Sequence, residues 1–263
     1  MPAKKQIKAL LLGDVYGNSG CRALFIGLPQ LIKKYKADII VVNGENAADN
    51  GFGLTYKQMR GFFDSGVNVI TSGNHIWQQE DLLQSLDKEP NLLRPANYPS
   101  NDPGHGYTIV NEIGVINVQG RFNMIPIDDP FKISKQIIEK IQGKTKAIIV
   151  DFHAENPQEK EALGFYLDGK VSAVVGTHTH VQTADAKILP EGTAYITDLG
   201  MCGPVDSVIG STPESAIRKQ LLQMPFKPVV KEGSAAIRGV CVTIDEATGK
   251  AENIETIDWK LAY

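Results

Sequence analysis

Cysteine is scarce in this chain: Cys21, Cys202 and Cys241 are the only three in 263 residues, and no two form a C-x-x-C pair. Such spacing excludes a disulfide framework and a cysteine-built zinc site, and it fits free thiols in a reducing cytoplasm. Basic side chains show no excess either, with 27 Lys and Arg against 30 Asp and Glu and a formal charge of −3. Affinity for long nucleic acid rests on neutralising phosphates, so a mildly acidic chain without a basic stripe argues against it. Phosphate-bearing small molecules remain open, because metal ions supply positive charge that a count of side chains does not include. No apolar run is long enough to span a membrane. The N-terminal Met1-Pro-Ala-Lys-Lys-Gln leads into a short run that Lys8 interrupts and Gly13-Asp14 stops, and neither a leader nor a membrane anchor is expected from that pattern. Repeats, charge blocks and Pro- or Ser-rich linkers are lacking as well. One domain over residues 1–263 is therefore expected, cytoplasmic and able to build a full core.

What the chain does have is a series of short apolar runs, each ending in a Gly-containing or polar cluster. Ile7–Leu12 ends in Gly13-Asp14, Asp38–Val42 in Asn43-Gly44-Glu45-Asn46, and Val67–Ile70 in Thr71-Ser72-Gly73-Asn74-His75. Ala147–Val150 ends in Asp151-Phe152-His153, and Val171–Val175 in Gly176-Thr177-His178-Thr179-His180. Runs of this length read as buried strands. Between the early ones lie helix-compatible segments, Cys21–Lys36 and Thr55–Ser65, the second opened by a Thr that can cap it. Strand and helix alternate, which favours α/β layering with parallel strands. After Pro90 the spacing changes, and Tyr107–Val110, Gly114–Val118, Ala194–Thr197, Ile237–Thr243 and Glu252–Asp258 read as antiparallel strands joined by short turns.

In α/β sheets the ligand crevice lies at the carboxyl ends of the strands. Those ends carry Asp14, Glu45, Asn46, Asn74, His75, His153, His178 and His180, which include four of the five histidines in the chain. Each has an ordinary structural explanation. Asp14 could cap the following helix, Glu45, Asn46 and Asn74 could be turn residues, and His153 could be a satisfied core histidine. The pair His178 and His180 is harder to dismiss, because i, i+2 spacing at a strand end puts both rings on one side. Independent accidents do not place all of these at strand ends. Mixed imidazole and carboxylate donors suit Zn, Mn or Fe better than Mg or Ca.

Taken in order, Gly13-Asp14, Gly44-Glu45-Asn46, Gly73-Asn74-His75, His153 and Gly176-Thr177-His178-Thr179-His180 resemble the blocks of the calcineurin-like metallophosphoesterases. The flanking strings Val-Asn-Gly-Glu-Asn-Ala-Ala, Leu-Leu-Arg-Pro-Ala-Asn-Tyr-Pro, Asp-Phe-His-Ala-Glu and Val-Val-Gly-Thr-His-Thr-His-Val-Gln-Thr-Ala-Asp look like a narrower group, the YmdB-like bacterial phosphodiesterases. The resemblance implies a four-layer αββα metallophosphoesterase sandwich, two metal ions at the sheet ends, and hydrolysis of cyclic nucleotides, notably 2′,3′-cyclic ones. It departs from the broad superfamily at two positions: Tyr16 stands where a histidine is usual, and Glu45 where the bridging residue is usually Asp. Both departures fit the narrower group, and the first metal then has one protein nitrogen fewer.

By the same resemblance, Asp14 and His180 hold the first metal, Glu45 bridges, and Asn74, His153 and His178 complete the second. Asn46 either ligates the first metal or donates its amide to a phosphate oxygen. Two cations about 3.5–4 Å apart activate a bridging water as hydroxide and neutralise the non-bridging oxygens of a phosphodiester. His75, beside ligand Asn74 and not itself a ligand, is the candidate general acid. Weaker candidates are Arg94 and Arg121 for phosphate, Tyr98, Tyr107 and Phe131 for base stacking, Asp151 and Glu155 as partners of His153, and His105 in a loop near the substrate. The expected partner is a small nucleotide, with a homo-oligomer allowed for. Two alternatives stand beside this: a metal-dependent phosphomonoesterase or phosphoprotein phosphatase, and a regulatory metal-binding protein with weak hydrolysis.

Overall fold

The computed structural model describes residues 5–224 and 226–261; the N-terminal stretch Met1–Lys4, part of the segment weighed above as a leader, lies outside the described residues. Two sheets face one another. The first has seven strands: β1 (Gln6–Leu12), β2 (Asp14–Val15), β3 (Ile39–Asn43), β4 (Val69–Thr71), β11 (Met201–Pro204), β12 (Ala235–Asp245) and β13 (Ala251–Leu261). The second has six: β5 (Tyr107–Val110), β6 (Ile113–Gln119), β7 (Ala147–His153), β8 (Ala173–Thr177), β9 (Lys187–Ile188) and β10 (Ala194–Ile196). Helices α1 (Gly17–Tyr35), α2 (Tyr56–Asp64), α3 (Glu80–Leu83), α4 (Pro130–Ile141), α5 (Pro157–Leu167) and α6 (Pro213–Leu222) complete the chain.

The four-layer order follows from the two faces of each strand. In β1, Ala9 and Leu11 point to the inter-sheet core together with Val41, Ile149 and Val175, while Leu10 and Leu12 join Leu24 and Leu28 of α1. In β7, Ala147 and Ile149 face the other sheet, and Ile148 and Val150 face Ile138 of α4 and Leu163 of α5. Central strands buried on both sides need apolar residues on both, and for that reason their runs are nearly unbroken. The α/β sandwich anticipated from the sequence is present, as helix, sheet, sheet, helix.

Helix α2 starts where the sequence indicates: Thr55 caps it, with a full capping box closed by Gln58. Helix α1 begins at Gly17, earlier than the expected Cys21. The antiparallel assignment after Pro90 needs correction. β5 and β6 do form a hairpin, turned at Asn111 and Glu112, which both have positive φ (52° and 62°). β6, however, runs parallel to β7, and β10 runs parallel to β8. The physical reason is α4, a crossover helix between β6 and β7 capped by Asp129, which lets two strands run the same way. β12 and β13 are antiparallel as anticipated.

Candidate metal centre

Loops at the carboxyl ends of β1, β3, β4, β7 and β8 meet at one point, and they bring together Asp14, Glu45, Asn46, Asn74, His75, His153, His178 and His180. Asp14, Glu45, Asn46 and His153 are buried. One correction concerns the last two histidines. β8 stops at Thr177, and His178 and His180 both have positive φ, 98° and 67°. Strand alternation therefore does not place them on one side. The left-handed backbone instead turns His178 towards His153 and His180 towards Asn46.

This conformation is disfavoured for a residue with a β-carbon, so it needs support. Thr179 provides the attachment: its N–H and its hydroxyl both donate to Asp198 Oδ2, at 3.1 and 2.7 Å. Asp198 is itself buried and accepts from Lys160 Nζ at 2.7 Å and from Gly200 N–H at 2.8 Å. Sequence reasoning missed this network. The signal was present in Thr197-Asp198-Leu199-Gly200, another polar cluster closing an apolar run.

The partners of each imidazole settle which nitrogen carries a proton. Thr177 hydroxyl donates to Asp151 Oδ1 at 2.8 Å, so its oxygen is an acceptor for His153 Nδ1 at 2.9 Å. His178 Nε2 lies 3.1 Å from Glu155 Oε2, and His180 Nδ1 lies 3.1 Å from the Ile209 carbonyl. In all three rings the outer nitrogen is thus the donor; the inner nitrogens of His178 and His180 offer a lone pair, and that of His153 does so once it releases the proton that Glu45 and Asp14 favour. The inner atoms face other acceptors: His153 Nε2 is 3.0 Å from both His178 Nδ1 and Glu45 Oε1, and His180 Nε2 is 3.2 Å from Asn46 Oδ1. The Asn46 oxygen is assigned by its amide nitrogen, which donates to the Gly51 carbonyl at 2.9 Å.

Lone pairs turned on one another are stable only around a cation or a proton. Two further oxygens, Asp14 Oδ1 and Asn74 Oδ1, are buried with no hydrogen-bond partner among the described residues, which is costly for a site meant to be complete without an ion. Glu45, His153 and His178 alone bring three ligand atoms within 4.8 Å of one another. The donors present therefore fit a divalent cation, and their mixed nitrogen and oxygen character is that of a transition metal. Gly73 leaves the room, since a β-carbon there would overlap His153 and Glu45.

The electrostatics describe the same competition. Burial pushes the Asp14 carboxyl up to about 6, against the pull of His180 and His153. Burial acts in the same direction on Glu45, but His153 and His75 hold it well below the usual carboxylate range. For His153 burial opposes the charged form, yet Glu45 and Asp14 raise it to about 9, and burial together with the charge on His153 lowers His178 to about 3.

His75 sits apart from the lone-pair clusters. Its Nδ1 lies 3.2 Å from both Glu45 Oε1 and Asn46 Nδ2, and the edge of its ring meets Phe52 at a centroid distance of 5.0 Å. With Nδ1 engaged, Nε2 is the nitrogen available to a ligand in a cleft of about 800 Å³ that opens over the centre. Tyr16, in the place of the usual histidine, packs edge-on against His180 at 5.4 Å and offers a ring to the cleft floor.

The family model of YmdB-like proteins matches residues 10–257. The chain belongs to the YmdB-like family. A Bacillus subtilis (strain 168) protein named 2′,3′-cyclic-nucleotide 2′-phosphodiesterase is 46% identical over 255 residues, covering 95% of this chain and 96% of that one. A solved structure described as a novel phosphatase from Mycoplasma pneumoniae superposes with a TM-score of 0.90 at 38% identity, over 98% of this chain and 94% of that chain. A hypothetical protein from Thermus thermophilus does so with a TM-score of 0.90 at 35% identity, over 97% and 100%.

The weaker candidates in this YmdB-like chain, Glu155 excepted, fall outside the cleft. Arg94 is buried and spends its guanidinium on the carbonyls of Pro95, Asp102 and Pro103. Arg121 pairs with Asp129, Tyr98 packs on Trp77, Tyr107 lies under Lys140, Phe131 meets Tyr166, and His105 contacts the Asp87 carbonyl. Asp151 reaches His153 through Thr177, whereas Glu155 reaches His178 instead. The cleft's outer wall, which runs from Val208 and Ile209 through Lys219 and Gln220 to Phe226 and Lys227, was not read as part of the site, because nothing in its pattern ties it to a strand end.

Proposed function

We propose that this chain is a two-metal phosphodiesterase that opens 2′,3′-cyclic nucleotides to nucleoside 3′-monophosphates. The observation that carries the reading is the pair of lone-pair clusters around Glu45, next to a histidine whose outer nitrogen faces the cleft. Asp14, Asn46 and His180 would hold one ion, Asn74, His153 and His178 the other, with Glu45 between them; Fe, Mn or Zn suits the donors. Cations bound there supply charge neutralisation for the phosphodiester and acidity for water.

The chain's own groups do the rest. Asp151 through Thr177, Glu155 and the Ile209 carbonyl keep the three ligand rings in the tautomer that presents a lone pair. Glu45 and Asn46 fix His75 by Nδ1, so that Nε2 can deliver a proton to a leaving ribose oxygen, a role worth about 10²–10⁴ in rate. Water adds its oxygen to phosphorus, the P–O2′ bond breaks, the 2′ oxygen takes a proton, and the phosphate remains on the 3′ oxygen. The name of the Bacillus subtilis relative supports this substrate and this bond. So does chemistry: a five-membered cyclic phosphodiester is strained and carries one negative charge, so it needs few cationic side chains to be bound and opened.

A panel of kcat/KM values at equal metal loading tests the assignment, with 2′,3′-cyclic AMP expected to exceed 3′,5′-cyclic AMP, AMP and a phosphopeptide. Preference for AMP or the phosphopeptide would make the protein a monoesterase with the same metal centre.

A further inference from the structure

We propose that the outer wall of the cleft is a second anion subsite, built from Lys219 and Lys227, which takes the 5′-phosphate of a 2′,3′-cyclic nucleotide. The proposal deepens the phosphodiesterase reading and rests on it for the orientation of the substrate.

The wall is built rather than loose. Thr212 caps α6 and its N–H donates to the Val229 carbonyl at 2.8 Å, while Val229 N–H donates back to Ser215 Oγ at 3.2 Å. Lys231 N–H bonds the Gly210 carbonyl at 2.9 Å, so both ends of the 210–231 segment are tied together. Within this strap the helix turns Ala216, Lys219 and Gln220 to the cleft, positions i, i+3 and i+4 that share one helical face. After the left-handed residue Gln223, the returning chain adds Phe226 and Lys227 to the same wall.

Charge is divided along the cleft. Lys219 and Lys227 are the only Lys or Arg side chains lining it, and neither makes an ion pair or hydrogen bond among the described residues. The acids that line it, Glu45 and Glu155, are committed to His75, His153 and His178 at the inner end. A 2′,3′-cyclic mononucleotide brings a single phosphate, which belongs at the metal centre, and leaves the outer cations without an anion. In ribose the 2′,3′ edge and the 5′ carbon lie on opposite sides of the ring. With the cyclic phosphate at the inner end, the 5′ substituent therefore points to the mouth, where a phosphate meets the two ammonium groups. Phe52, packed against His75, and Phe226, beside Lys227 on the outer wall, both line the cleft and supply apolar surface for ribose or base.

The same chemistry is available from a free nucleotide carrying a 5′-phosphate and from the last residue of a short RNA. The test compares kcat/KM for 2′,3′-cyclic AMP, for its 5′-phosphorylated form and for the dinucleotide ApA ending in a 2′,3′-cyclic phosphate. It also compares calorimetric Kd values for 3′-AMP and adenosine 3′,5′-bisphosphate. Two exposed lysines on one phosphate predict a preference of about tenfold for the 5′-phosphorylated ligand. That ratio should fall towards one in the Lys219→Gln/Lys227→Gln double variant and at high salt. Preference for the mononucleotide or for the dinucleotide identifies the source, and either supports the subsite. A ratio of one in the wild type, or a preference that survives loss of both lysines, overturns it. If no cyclic nucleotide is hydrolysed by metal-loaded protein, the catalytic assignment fails, and the two Kd values still decide the subsite.

Discussion

His75 and Asn74 are neighbours in the chain with opposite proposed roles: Asn74 has a buried oxygen with no hydrogen-bond partner among the described residues, whereas His75 is held by Glu45 and Asn46 through one nitrogen. His75→Ala is therefore expected to keep its metal and fold while losing about 10²–10⁴ in kcat; metal analysis and kinetics on one sample check it, and loss of an ion would reverse the roles. At His153 a proton and a cation compete for Nε2. The group sits at about 9 in the metal-free protein, raised above its ordinary value by Glu45 and Asp14 despite burial, so it is protonated at neutral pH and must release that proton to bind an ion. Apparent metal affinity should rise by about tenfold per pH unit between pH 6 and 8, measured by chelator competition; a flat profile would contradict this. Folding of the metal-free protein depends on pH in the opposite direction. The contribution of His153 to metal-free stability is complete below its ordinary pKa of about 6.5 and lost as pH rises through about 9. These chemistries were legible as residue types at run ends. The supporting roles of Thr177, Asp198 and Lys160 were not, because a polar residue at a run end or on a helix does not show its hydrogen-bond partner until the strands are placed.

Among the elements, α5 and the β8–β9 connection carry the least obvious dependence. Lys160 on α5 is 1% exposed and pairs with fully buried Asp198, which in turn holds Thr179 between two residues of positive φ. Lys160→Met strands a buried carboxylate and should cost about 3–5 kcal/mol of unfolding free energy, read by urea titration of the metal-free protein; a loss below about 1 kcal/mol would mean that water or relaxation replaces the lysine. Apolar runs gave away β1, β3, β4, β7 and β8 because central strands are apolar on both faces. The direction of β6 was misjudged for a related reason, whereas β10 runs parallel to β8 because the chain between them turns back through β9, which pairs antiparallel with β10. Helix α4 was not recognised between β6 and β7, nor α5 between β7 and β8, and without the α4 crossover β6 looks like part of an antiparallel run. α5 illustrates why: its buried positions are Lys160, Leu163, Gly164 and Leu167, a face with too few large apolar residues to announce a helix.

On the scale of the whole molecule, two sheets share one core and aim the carboxyl ends of five strands at one mouth. A chain of net charge −3 with a buried Asp and a buried Glu at that mouth offers an anion little attraction of its own. Cations bound there would invert the local charge, and on the proposed reading they are what gives an acidic protein a site for anions. Activity should therefore follow metal content, not protein concentration alone. The most direct measurement is the rate of 2′,3′-cyclic AMP opening, followed by phosphorus NMR, while metal-free protein is titrated with Mn²⁺. The account predicts no turnover without metal, a plateau close to two ions per chain, and 3′-AMP as the product. Hydrolysis that is independent of metal, or none at saturating metal in protein that has bound two ions, would contradict it.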